Sequence, residues 1–148
     1  MKLDAQWIVG FTDGEGCFHI AINRNQRIAI GLQVLAEFTV VQHVRDIQTL
    51  YALKTYFNCG VVRKNHGDRY CYRVRGINDL INIIIPFFEK HSLKTSKNID
   101  FKKFRKTVLI MMNDQQLHLS LEGIDEIRKV QLSMNNKSKI ESNSGRDT

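Results

Sequence analysis

The chain is short of cysteine, proline and acid, and each shortage narrows what it can be. Its three cysteines, Cys17, Cys59 and Cys71, are odd in number and widely spaced. That pattern builds neither a disulfide framework nor a zinc site, so they read as reduced packing residues. The five histidines are scattered as well, with no pair at metal-ligand spacing, and His19 and His66 read as surface or groove residues. No run of about 18 apolar residues is present, and charged residues near the start do not fit an ordinary signal peptide. A soluble, intracellular protein is therefore expected. Fifteen Asp plus Glu stand against 22 Lys plus Arg, for a formal charge of +7 and a pI near 9.5. Such a balance favours polyanions without choosing DNA over RNA.

What is present begins with apolar content. With 43% apolar residues in 148, the chain can build one domain, placed at residues 1–135. The polar segment 136–148 reads as a disordered tail.

The most informative stretch is Trp7 to Gly16, WIVGFTDGEG, an apolar run ending in two carboxylates. As a helix it places Leu3, Trp7 and Phe11 on one face, with Val9, Gly10 and Asp13 in an arc of roughly 100° on another. Glycine inside a helix costs about 1 kcal/mol against alanine, so Gly10 implies close packing there, while Gly14 and Gly16 suit a helix end and a sharp turn. Asp13 and Glu15 at the carbonyl end are unfavourable by up to about 1 kcal/mol each unless a cation offsets them. A bare DGEG tetrapeptide fits a solvated acidic turn. Oxygen-only ligands also suit a hard ion such as Mg²⁺, which binds through one or two carboxylates, water and substrate phosphate.

Beyond the acids, Phe18, Ile20 and Ile22 alternate with Cys17, His19, Ala21 and Asn23. The alternation resumes from Ile28 to Val40, predicting two half-buried strands joined by a polar tip, NRNQR. A helix over Asp46 to Phe57, ending near Gly60, precedes a second pair: Val61 to Lys64, a turn at residues 65–68, then Arg69 to Arg75. One face of that last strand is basic. A two-stranded ribbon fits the major groove of DNA, where Arg pairs with guanine and Asn or Gln with adenine. Arg24, Asn25, Arg27, Gln33, Arg63, Arg69, Arg73 and Arg75 are the candidates for DNA contact. An ordinary solvated surface is the alternative for any one strand alone.

The remainder is helical. Asn78 is a candidate cap for a helix that Pro86, the one proline, should stop. Thr95 or Ser96 caps the next, with Phe101, Phe104, Val108 and Met111 inward, and Ser120 opens a third with Leu121, Ile124 and Ile127 inward.

The opening motif resembles that of the LAGLIDADG homing endonucleases. The family's glycine, its aromatic or aliphatic neighbour and its acid-Gly-acid-Gly ending fall on Gly10, Phe11, Asp13, Gly14, Glu15 and Gly16. Ile8-Val9 replaces the usual Leu-Ala, and Glu15 replaces Asp. The resemblance extends over roughly residues 5–135 and implies an α+β fold of order αββαββα, with an antiparallel DNA-binding sheet and trailing helices. It implies a site-specific double-stranded DNA endonuclease that hydrolyses phosphodiester bonds with Mg²⁺, or another hard divalent cation such as Mn²⁺ or Ca²⁺.

In that family Glu15 would be catalytic and bind metal together with the Gly14 carbonyl, with Asp13 a weaker ligand candidate. Gln42, after the second strand, would lie near the metal water. Lys94 or Lys97 would offset charge on the phosphate, and spacing from Leu93 favours Lys94. One motif per chain implies a homodimer joined through Val9, Gly10, Asp13 and Gly14, reading a long, nearly palindromic target. Such enzymes are intron-encoded in organelles or prokaryotes. A non-cleaving binder, an intron RNA maturase or regulator of the same fold, is the alternative, and a basic ribosome-associated domain a third.

Overall fold

The computed structural model describes residues 1–28, 30–113 and 120–134; segment 136–148 lies outside them. Helix α1, Ala5–Glu15, starts at Asp4, whose side chain accepts a hydrogen bond from the Trp7 N–H at 2.9 Å. This satisfies one of the free N–H groups of the first turn. The helix passes straight into strand β1, Gly16–Arg24, with no connecting residue. Gly16 sits in ordinary extended backbone, and space dictates the glycine: a Cβ there would lie 2.7 Å from Thr12 Cγ2.

Strand β2 is Leu32–His43, paired antiparallel with β1 from Gly16↔Val40 to Arg24↔Leu32. The hairpin tip is wider and later than alternation predicts. Asn25 N–H bonds to Gly31 O, Ile28 N–H to Asn25 O and Gly31 N–H to Ile28 O. Ile28 and Ile30 therefore lie in the turn, which Gly31 closes at φ 73°.

A short 3₁₀ turn, Val44–Asp46, leads into helix α2, Ile47–Phe57. The left-handed residue that ends α2 is Asn58, at φ 54°. Strands β3, Val61–His66, and β4, Arg69–Val74, form the second hairpin. Sheet order is β1-β2-β4-β3, all antiparallel. The expected αββαββα order is observed.

Helix α3 spans residues 77–90 and contains a wide turn at Leu80–Ile84, where the Ile85 N–H reaches back five residues to Leu80 O. Pro86 does not stop this helix, contrary to expectation. It follows the wide turn, in the first turn of Ile85–Lys90, where a missing N–H is tolerated. Helices α4, Lys97–Asn113, and α5, Leu121–Ser133, follow. Ser120 caps α5 by accepting from the Gly123 N–H at 3.0 Å.

The core lies between the helices and one face of the sheet. Phe18, Ile20, Phe38, Val40, Tyr72 and Val74 point into it, meeting Leu50, Leu53, Leu80, Ile84, Phe88, Phe101, Phe104 and Val108. Phe18 is its centre, with the rings of Phe38, Phe88, Phe101 and Phe104 between 5.2 and 5.6 Å away. Residues of opposite parity form the other, open face of the sheet.

Candidate active site and nucleic-acid interface

Glu15 is the last residue of α1 and is exposed, and the last turn carries no basic residue of its own. Compensation comes from elsewhere in the chain: Lys97 Nζ donates to the carbonyl of Gly16, next to Glu15. Asp13 is half-buried and fully engaged. Its Oδ2 accepts from the Lys94 N–H at 2.8 Å, and its Oδ1 from the Thr95 N–H at 3.2 Å and the Thr95 hydroxyl at 2.7 Å. The Thr95 hydroxyl in turn accepts from the Lys97 N–H at 3.2 Å, capping α4.

The sheet brings in Gln42. It lies two residues beyond Val40, the partner of Gly16, and its amide donates to Val41 O at 2.8 Å. Asp13 ties the Lys94 backbone, and Gly16 the Lys97 side chain, to the α1–β1 junction, the end of the β1–β2 pair at which Gln42 also lies. Lys94 is held by its backbone while its side chain is exposed; Lys97 is half-buried. Among the described residues no group of three or more His, Cys, Asp or Glu converges.

The outer face of α1 differs from the expected one. Val9 is 1% exposed and packs inward with Ile8 and Thr12, so it cannot line an interface without opening the core. Asp13, expected at the interface and as a weaker ligand, is engaged by Lys94 and Thr95 within the chain. The helix buries its β-branched residues and turns its glycines outward. Trp7, Gly10, Phe11 and Gly14, at i, i+3, i+4 and i+7, form the outward stripe. Trp7 is 42% exposed and stacks on Phe11 at 4.7 Å. A Cβ added at Gly10 or Gly14 would meet nothing within 4 Å. The close packing expected at Gly10 is therefore not supplied by this chain.

The open face of the sheet carries Gln33, Arg63, Arg69, Arg73 and, just past β4, Arg75. Asn25 belongs to the tip, where its side chain donates to Gln33 Oε1 at 3.0 Å and accepts from the Arg27 N–H at 3.0 Å. Arg27 is exposed there. Arg24 has the parity of Ile20 and Ile22, so it belongs to the helix side beyond the core's edge and not to the open face. A pocket of about 340 Å³ at the β3–β4 end is lined by Gly60, Val61, Arg73, Arg75, Gly76 and Asp79.

Three features escaped the sequence reading. Thr95, expected only as a candidate cap, also binds Asp13 through its N–H and its hydroxyl. The Trp7–Phe11 stack marks the outward stripe. Glu37 lies on the open face, opposite His19, with its Oε2 2.7 Å from Arg75 Nε. The cysteines behave as expected: none is in a disulfide, and burial pushes the thiols of Cys17, Cys59 and Cys71 up, with Lys97 opposing at Cys17 and Arg73 at Cys71.

The profile of the LAGLIDADG endonuclease family matches residues 8–108. The chain is 38% identical over 135 residues, 90% of its length, to the probable intron-encoded endonuclease 2 of Neurospora crassa, of which it spans 29%. It is 27% identical to DNA endonuclease I-CeuI of Chlamydomonas moewusii, with 84% of this chain and 62% of that one aligned. Among solved structures, the homing endonuclease I-TnaI superposes with a TM-score of 0.86 at 52% identity, covering 91% of this chain and 90% of its own. I-SmaMI bound to cleaved DNA superposes with a TM-score of 0.85 at 34% identity, covering 90% of this chain and 44% of its own. The same enzyme is also known with uncleaved DNA in the presence of calcium ions. The chain spans under a third of the first curated relatives it matches. On its matched profile, its sequence identity and its fold, the chain belongs to the LAGLIDADG endonuclease family.

Proposed function

We propose that the chain is a site-specific DNA endonuclease that hydrolyses phosphodiester bonds as a pair of identical copies. The observation that carries this reading is the exposed Glu15 at the end of α1, beside an open sheet face bearing arginines. A carboxylate left free at the negative end of a helix is poorly placed for binding DNA alone and well placed to hold a cation. Oxygen donors of this kind suit Mg²⁺, or Mn²⁺ or Ca²⁺, with Glu15 and the Gly14 carbonyl as protein ligands and water and phosphate completing the shell. When bound, such an ion supplies charge against the phosphate and lowers the pKa of a water.

The chain's own residues supply the rest. Lys94, its backbone fixed by Asp13 and its ammonium exposed, stabilises charge developing on the scissile phosphate. Lys97 is a positioning residue that ties α4 to the α1–β1 junction through Gly16. Gln42 leaves its amide oxygen to accept a hydrogen bond from water.

Cutting both strands needs two such centres. The outward stripe of Trp7, Gly10, Phe11 and Gly14 fits a second copy of the same helix, whose backbone can approach closely over the two glycines. A closed pair of this kind reads a long, nearly palindromic target. An organellar or prokaryotic intron is the genetic setting we infer, since relatives in fungi carry "intron-encoded" in their names.

Cleavage of a plasmid library with and without Mg²⁺, using wild type and Glu15→Gln, tests this. We expect metal-dependent double-strand cuts at one sequence class, lost in the variant while specific binding persists. Specific binding without any cutting, identical in the variant, would replace the nuclease with a non-cleaving binder of the same fold.

A further inference from the structure

We propose that Glu37 fixes Arg75 for the reading of a guanine, so that this ion pair sets base preference at one position of each half-site; the inference rests on the proposal that the open face meets DNA. Glu37 is the one Asp or Glu in the four strands. An acid on a surface presented to a polyanion is repelled by it, unless its charge is spent on a neighbour. Here it is spent on Arg75. Arg75 follows the Phe38↔Val74 pair, which places it directly across from Glu37.

The geometry decides what the arginine can still do. Glu37 Oε2 accepts from Arg75 Nε at 2.7 Å, and the glutamate side chain is 18% exposed while the arginine is 47% exposed. The carboxylate thus lies low in the sheet with the guanidinium standing above it. Because Nε makes the bond, both terminal nitrogens remain free as a rigid fork, the shape that matches guanine O6 and N7 in the major groove. An untethered arginine on a strand edge can swing to a phosphate, which carries no sequence information. Glu37 opposes that swing. The other groups flanking the pair are His19, opposite Glu37 on β1, and Arg73 and Asp79, which line the pocket with Arg75.

The test is selection of bound sites from a random DNA library in Ca²⁺, using wild type, Glu37→Gln, Glu37→Ala, Arg75→Ala and the Glu37→Ala/Arg75→Ala double variant. Far-UV spectra and melting curves confirm that each variant folds. Wild type should prefer guanine about tenfold at one position of each half-site, the ratio that about 1.4 kcal/mol of discrimination gives. Glu37→Ala should flatten that position alone. Glu37→Gln, which keeps an acceptor oxygen, should retain part of the preference, and the double variant should match Arg75→Ala. Retained guanine preference in Glu37→Ala, or an Arg75→Ala loss spread evenly over all sequences, overturns the proposal while sequence-specific binding stands. Selection of no sequence by wild type removes the DNA-reading function and this proposal with it.

Discussion

Asp13 and Thr95 are joined twice, through the threonine's N–H at 3.2 Å and its hydroxyl at 2.7 Å. These bonds, with that from the Lys94 N–H, pin the end of α1 to the start of α4. Asp13→Ala should lower stability by about 1–2 kcal/mol, read as a drop in the urea midpoint, because backbone donors lose a charged acceptor. Asp13→Asn, which keeps one acceptor oxygen, should lose less. Both should slow cleavage more than they weaken DNA binding.

The outward glycines give a prediction of opposite signs. Gly10→Ala meets no atom within the chain and raises helix propensity, so the isolated chain should gain about 0.5–1 kcal/mol in thermal stability. In the proposed pair the same methyl intrudes between close helices. Gly10→Leu should weaken association about tenfold or more in sedimentation equilibrium, an overpacking effect of about 1–3 kcal/mol. Unchanged association would place the joint elsewhere.

The two lysines should separate by what each variant damages. Lys94→Ala removes an exposed ammonium and should leave melting unchanged while reducing kcat by about 10² or more. Lys97→Ala removes the donor to Gly16 O and should lower the melting temperature as well as the rate. If Lys97→Ala melts like wild type and loses the rate alone, their roles are exchanged.

The order of elements was legible because the strands alternate and the helices carry apolar residues at helical spacing. Local signals failed where tertiary contacts decide. Ile28 and Ile30 continue the alternation, yet Asn25 and Gly31 close the backbone around them into a turn. Val9 looked like part of a small-residue face, but packing draws the β-branched Ile8, Val9 and Thr12 inward and leaves Gly10 and Gly14 outside. Pro86 reads as a stop only when the wide turn before it is unknown. Glu37 was invisible because its partner lies 38 residues away.

Cysteine chemistry should follow burial. A raised pKa means less thiolate at a given pH, so at pH 8 the thiols of the folded chain should alkylate more slowly than in urea. The folded state holds these protons more tightly than the unfolded chain. Their contribution to stability is therefore complete below the ordinary thiol pKa of 9.0 and declines as pH rises past it. Chemical denaturation between pH 8 and 10.5 measures that decline.

The direct passage of α1 into β1 at Gly16, without a connecting residue, has a mechanical consequence. Helix and strand act as one stiff lever, anchored by the glycine's fit against Thr12. In a two-copy assembly, the angle at which the helices cross is handed undamped to the two reading surfaces. The distance between half-sites is then a property of a helix crossing, and spacer length in the DNA becomes a ruler for it. Extra glycines inserted after Gly16 should blur that ruler, letting targets with one base pair more or less be cut at comparable rates.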